Sequence, residues 1–405
     1  MKDQPTADSN PAPKRGLFPI RGEAPPVSGL FAGGIVLLGF ALSLTLVAVE
    51  ILTVFLVLLL LFRLFHGHKP QITRWDLPFI TFILIRLLSS IFGDHAELAA
   101  KGFSNLFFAA AYFITAWSLQ ENRHVGWRNF IRALVIGTAI ASVVGLIQVL
   151  GGEHRAVGLY GGYTVFGSLT GASLILGIFL SINNNLFKRK LIDIPLLTLC
   201  ATGLAASICR AEWIAAILVL LPAGIMFRPK ISALVFVFIA VLFLAITPLR
   251  DRLFTMADPV SNLSGREVLW QPALELITEK PVLGHGLNSF QAIFPDELRP
   301  YMTDPGAGDW HNLYLQVAVE SGLLGLVAFL WMLGIGLYIC HNRIRLAKTP
   351  EERGLAWGLF GALAFFCIAG GMGVFLVRIP ITVLVFLVLG GITSSRNITG
   401  VKSTS

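Results

Sequence analysis

Two stretches of this chain hold basic side chains where a phosphate and a proton can be handled. Ser264-Gly265-Arg266-Glu267 has the Ser-x-x-Glu spacing of a capping box, and the run through Leu269, Ala273 and Ile277 puts Arg266 in the first turn of a helix. Free backbone N–H groups and a guanidinium together suit a phosphate oxyanion. Pro272 is expected to kink or restart that helix, and Lys280-Pro281 with Gly284-His285-Gly286 to end it. Farther on, Asp309-Trp310-His311-Asn312 opens an apolar run, with Asp309 a candidate N-cap and His311 in the first turn. The helix dipole disfavours a further positive charge there, so a neutral imidazole ready to take a proton from a hydroxyl is expected. Asn312 is a candidate to orient the ring or a sugar. The competing reading is an interfacial histidine with a structural hydrogen bond.

Two more arginines stand beside apolar runs. A guanidinium in hydrocarbon costs at least about 2.5–3.5 kcal/mol, so Arg86 and Arg210 need a carboxylate, backbone carbonyls or an anionic ligand. Arg86 has the alternative of snorkelling to the outer interface. Arg210 lies between two runs in Ser207-Ile208-Cys209-Arg210-Ala211-Glu212-Trp213, where an ion pair with Glu212 competes with a bound anion. Other patterns are weaker. His285, His311, Asp304 and Asp309 lack helical ligand spacing, so no metal site is expected. Gly158-Leu159-Tyr160-Gly161-Gly162 is not followed by Lys-Ser or Lys-Thr, and reads as close helix packing or a flexible loop rather than a phosphate cradle. Cys200, Cys209, Cys340 and Cys367 all lie in apolar stretches, as small core residues do.

The elements that must position these residues follow from composition. Of 405 residues 55% are hydrophobic and 13% charged, about half the charged fraction of a soluble domain. Apolar runs near the ~20 residues that cross a bilayer recur at 30–46, 48–64, 77–92, 103–119, 129–150, 163–182, 191–208, 211–226, 231–248, 313–339, 354–372 and 379–393. None shows the alternation of an outer-membrane barrel, so the expected fold is an all-α polytopic membrane protein of about twelve spans. Residues 1–28 read as a disordered cytoplasmic tail, 29–248 as the first nine spans and 249–312 as one main periplasmic loop with short helices. Residues 313–394 then hold the last three spans and 395–405 a second cytoplasmic tail. With the N-terminus inside, roughly two thirds of the 31 Lys and Arg fall on the cytoplasmic side, both termini are cytoplasmic, and the long loop faces the periplasm. Topology thus accounts for much of the +8 net charge, and nucleic acid need not be invoked.

Taken together, Gly265-Arg266, Trp270, Pro281, Gly284 and Gly286, then His311-Asn312 with Tyr314, Glu320, Gly322 and Gly325, resemble the O-antigen ligase and polymerase superfamily over about 195–335. The resemblance implies a C-type membrane glycosyltransferase fold that takes a glycan from undecaprenyl diphosphate on the periplasmic face of the inner membrane and passes it to an acceptor hydroxyl, without metal or other cofactor. It puts the family's two arginines on Arg210 and Arg266, to hold the diphosphate, and its histidine on His311, to activate the acceptor. Two departures stand out. Cys209-Arg210-Ala211 replaces the usual Ser-Arg-Gly. Of an upstream Arg-x-x-Gly-x-x-Gly-Asn-Pro pattern, Arg155, Gly158 and Gly161 remain, with Gly162-Tyr163 in place of Asn-Pro; Arg155 and Arg86 are the further candidates for contact with substrate.

The leading expectation is a ligase joining O-antigen or a related polysaccharide to lipid A-core. A polymerase would use the same arginines with another lipid-linked repeat unit as acceptor, and the modest single outer loop favours the ligase. A transporter would be expected to show internal repeats and polar groups at mid-membrane, neither of which is evident.

Overall fold

The computed structural model describes residues 25–66, 72–118, 123–183, 186–187, 189–227, 250, 266–302 and 308–394. The apolar run expected at 231–248, residues 1–24 of the first tail, the whole of the tail at 395–405, and Ser264, Gly265 and Asp304 lie outside the described residues. Among those described the chain is helical, without strands. The helices are α1 (Pro25–Ala41), α2 (Leu46–Phe65), α3 (Leu77–Phe92), α4 (Ala96–Phe107), α5 (Ala111–Ser118), α6 (Arg123–Leu150), α7 (Tyr163–Ile182), α8 (Lys190–Ala206) and α9 (Arg210–Phe227). Beyond residue 265 they continue as α10 (Glu267–Glu279), the single turn α11 (Phe290–Ile293), α12 (Leu313–Leu346), α13 (Pro350–Gly370) and α14 (Ile379–Thr393).

Helices α2, α7, α12, α13 and the Gly126–Leu150 part of α6 are long and apolar enough to cross a membrane; shorter apolar helices include Leu77–Phe92 and Ile379–Thr393. These are the features of a multi-pass membrane protein. Helix α14 is buried all round from Pro380 to Thr393 and packs on α5, α12 and α13, while α7, nearly as buried, packs on α6, α8 and α13. A helix apolar on every face belongs at the centre of a bundle. Helix α2, by contrast, leaves Ile51, Phe55, Leu58 and Phe62 exposed, an apolar outer face suited to lipid.

Two expected runs are interrupted. The stretch read as one span at 103–119 is α4 and α5 joined by a 3-10 turn, Phe108–Ala110. Within α12, Gly322 has φ 65° and ψ −174°, which breaks the helix. A break frees carbonyls and N–H groups that apolar surroundings cannot solvate, and another segment of backbone takes them up. His285 N donates to Val319 O (2.9 Å), Gly286 N to Glu320 O (3.0 Å) and Leu323 N to Pro281 O (2.7 Å). Here the segment that ends α10 crosses α12 backbone to backbone. A Cβ on Gly284, itself at φ 68°, would strike Val319 O and Gly322 N, and one on Gly322 would strike Val282 O. The glycines are therefore required by the crossing itself.

Candidate active site

Helix α8 ends and α9 begins across Ser207–Cys209 only, with Ile208 at φ 49°, a left-handed conformation that costs a β-branched residue about 1–3 kcal/mol. The indole N–H of Trp213 donates to Leu204 O (2.8 Å) and pins the turn. Arg210 is therefore the first residue of α9. The loop between α6 and α7 is stitched to the same place, since Ala156 N donates to Ala206 O (2.9 Å). This glycine-rich loop packs closely on α7, where a Cβ on Gly158 would strike the Phe166 ring, and it is clamped by Gln148 of α6, whose amide gives to Gly158 O (2.8 Å) and accepts from Val157 N (3.1 Å) and Gly158 N (3.0 Å). The clamp presents Arg155, whose guanidinium lies 4.5 Å from the centroid of the Tyr163 ring.

Arg266 is the N-cap of α10 rather than a first-turn residue, and the helix runs on through Pro272 without restarting. Its Nη2 donates to Met372 O (3.4 Å) in the loop between α13 and α14. Burial pulls this guanidinium below its ordinary pKa, opposed by Cys209, Glu212 and Tyr163, and it remains protonated. The positive charges of Arg266 and Arg155 both bear on Arg210, so the three arginines share one electrostatic neighbourhood. Glu212, one of the two alternatives expected to neutralise Arg210, is buried and accepts from Ser168 Oγ through Oε1 (2.9 Å).

The histidine is placed differently from expectation. The N-cap of α12 is Asn312, whose Oδ1 accepts from Tyr314 N (2.9 Å) and Leu315 N (3.1 Å), and not Asp309. Asparagine in extended conformation one residue before a helix competes well for that position. His311 therefore precedes the helix, at φ 50°, and the dipole argument for it is replaced by a side-chain contact. Asp309 Oδ1 lies 2.6 Å from His311 Nδ1 and accepts the His311 backbone N–H at 2.9 Å. Burial works to raise the Asp309 pKa, but those bonds and the charges of His311 and Arg378 hold it below the usual carboxylate value. Asn312 Nδ2 donates to Gly371 O (3.1 Å), which uses one of its two N–H groups.

Underneath, Leu269, Ala273, Phe290, Phe294, Met302, Trp310 and Val319 form a small core between α10 and α12. Trp270 Nε1 donates to Trp310 O (3.1 Å), tying the helix that starts at Arg266 to the residue before His311. A buried polar chain supports the turn from below. Trp310 N donates to Gln316 Oε1 (3.1 Å), Gln316 Nε2 to Glu320 Oε1 (2.7 Å), and Glu320 Oε2 pairs with Arg86 Nη1 (2.8 Å). Arg86 thus neither snorkels nor joins the other arginines; it neutralises Glu320, 9% and 2% of the two side chains being exposed.

His285 is held by Leu276 O (3.0 Å) and Asp94 (3.5 Å), apart from the Asp309–His311 contact. Among the described residues no three His, Cys, Asp or Glu side chains converge as metal ligands would. Sequence reasoning missed Asp309 as a partner of His311 and Arg378 as a partner of Asp309. The Asp-x-His spacing was visible, but an Asx-type contact made before a helix reads like a cap.

No match was found among curated proteins. A family model described as O-antigen ligase matches residues 195–330, from α8 to the middle of α12, which include Arg210, Arg266, the backbone crossing and His311. The match covers about a third of the chain and supports a likeness to the O-antigen ligase superfamily over that segment.

Proposed function

We propose that the protein is a glycosyltransferase of the O-antigen ligase kind, which moves a glycan from undecaprenyl diphosphate to a hydroxyl of lipid A-core at the periplasmic face of the bacterial inner membrane. Both termini are then cytoplasmic. The observation that carries this reading is that the Arg155 loop is bonded through Ala156 N to Ala206 O beside the turn that bears Arg210, that the charges of Arg155 and Arg266 both bear on Arg210, and that Arg266 reaches the loop that contacts the His311 turn. Mutually repelling guanidinium groups are relieved by a ligand with adjacent phosphates, and their planar forks match phosphate oxygens.

In this scheme the acceptor hydroxyl gives its proton to His311 Nε2 while its oxygen bonds to the anomeric carbon of the donor sugar. The bond from that carbon to the diphosphate oxygen breaks, and the electron pair stays on phosphate, where the arginines stabilise the charge. The imidazolium returns its proton to water. No metal or nucleotide sugar takes part.

Deletion of the gene followed by analysis of surface polysaccharide tests the reading. Normal-length glycan accumulating on undecaprenyl diphosphate, with bare lipid A-core, is expected. Single repeat units on the lipid carrier would move the assignment to a polymerase, and unchanged surface glycan would refute both.

A further inference from the structure

His311 stands outside the helix it precedes, in a backbone conformation that residues with a side chain adopt at a cost. What holds it there is Asp309, whose side chain is 4% exposed and which accepts from the ring and from the backbone of His311 through a single oxygen. The second oxygen, Oδ2, faces Arg378 Nη2 at 3.5 Å. Arg378 is the N-cap of α14 and closes the loop that Asn312 touches at Gly371 and Arg266 at Met372. A buried carboxylate with one oxygen on an imidazole and the other on a guanidinium is fixed in orientation and in charge. When Asp309 accepts the Nδ1 proton, the lone pair is left on Nε2, away from the carboxylate.

We infer that Asp309 and Arg378 are positioning residues for His311: the carboxylate fixes the ring and its tautomer and stabilises the imidazolium that forms in transfer, while Arg378 keeps that carboxylate ionised and in place. The inference rests on the reading of His311 as the base that takes the acceptor proton. Each residue acts through the next, and neither touches substrate. The groups around the pair define the electrostatics. Arg378 comes from the start of α14, and Arg266 reaches the same loop from the start of α10. Tyr314, on the first turn of α12, gives its hydroxyl to Cys367 O (2.6 Å) and is turned away.

The two positioning residues act on the imidazolium with opposite sign. Removing the carboxylate takes away the partner of the imidazolium, so Asp309→Asn should move the acid limb of the pH profile to lower pH, by roughly one unit for a charge in hydrogen-bond contact. Removing Arg378 takes away a nearby positive charge, so Arg378→Gln should move the limb to higher pH, by about a few tenths of a unit because Arg378 is half exposed and one group farther off.

The experiment uses the full chain purified in detergent, an undecaprenyl-diphosphate-linked O-antigen repeat as donor and lipid A-core as acceptor, with binding of undecaprenyl diphosphate measured separately. Asp309→Asn is expected to slow transfer at saturating donor by ~10²-fold or more, with donor affinity within about twofold of wild type. Arg378→Gln should slow it less, and Arg378→Lys should return the limb to its wild-type position. Limbs that coincide in all variants, or that shift in the same direction for Asp309→Asn and Arg378→Gln, overturn the inference. His311→Ala separates the two readings. Its full activity would remove His311 as the base, whereas an inactive His311→Ala beside wild-type profiles in the other variants would refute only the positioning pair.

Discussion

The ion pair between Arg86 and Glu320 gives the sharpest test of how the arginines divide between substrate and scaffold. Glu320 Oε1 accepts from Asn288 N (2.8 Å) and Gln316 Nε2 (2.7 Å), and Oε2 is ion-paired with the Arg86 guanidinium (2.8 Å). Arg86→Met therefore leaves a carboxylate that is 2% exposed facing methyl and methylene groups. Breaking one side of a buried pair typically costs about 3–5 kcal/mol, whereas replacing both partners is often close to neutral. In Arg86→Met/Glu320→Gln the amide oxygen still accepts from Asn288 and Gln316, and no charge is stranded. The double variant should thus be more stable than Arg86→Met, with a coupling energy on the order of 2–3 kcal/mol. The measurement is the apparent unfolding midpoint in one fixed detergent for the single and double variants, alongside affinity for undecaprenyl diphosphate. The scaffold reading requires the double variant to recover the midpoint while donor affinity stays near wild type throughout. A wild-type midpoint in Arg86→Met together with lost donor affinity would refute it and return Arg86 to the substrate.

Further expectations concern the site and its orientation. Arg210→Lys and Arg266→Lys keep the charge but lose the planar fork, so transfer should fall at least tenfold while membrane expression stays near normal; wild-type rates in either would make that residue a screening charge. Because Asp309 is held below the ordinary carboxylate pKa, its contribution to stability is present above the unfolded value of about 3.9 and is lost only as pH falls through the lower folded one. Loss of transfer between pH 5 and 8 should therefore fit one ionisation, and a second one in that range that persists in Asp309→Asn would point to another group. Reporter fusions at Thr349 and Asn262 should read cytoplasm and periplasm; a cytoplasmic signal at Asn262 would place the outer loop on the wrong side for this chemistry.

Much of the helical framework was legible because a bilayer-length apolar run needs no partner to be recognised. Helices α2, α3, α7 and α9 begin and end within a few residues of the runs that announced them. The positions of Arg266 and His311 at helix starts were legible because each sits beside a helix-start signal. What the sequence hides is contact at long separation. Glu320 meets Arg86 from 234 positions away, and no local pattern of either residue names the other. The break at Gly322 lies inside an unbroken apolar run, where a glycine is ordinary. It becomes a break only because Pro281–Gly286 arrives to take its hydrogen bonds. The N-cap of α12 was misread by three residues for a local reason: Asp309 and Asn312 are both good caps, and the choice between them depends on His311 claiming the aspartate.

The crossing of Pro281–Gly286 over α12 has a mechanical consequence. Main-chain hydrogen bonds, not side-chain packing, join the trailing end of α10 to α12 a few turns from His311, and the Trp270–Trp310 bond joins them again near their leading ends. Two attachments along a pair of helices make a stiff frame, like two rungs between rails. The span from Arg266 to His311 is thereby set within the frame and is insulated from changes in bilayer thickness, which tilt helices against their neighbours at a fraction of a kcal/mol per ångström. On the proposed reading, such a frame would let the surrounding helices and loops vary to suit different glycans while the gauge between the proposed phosphate contact and proton acceptor stays constant.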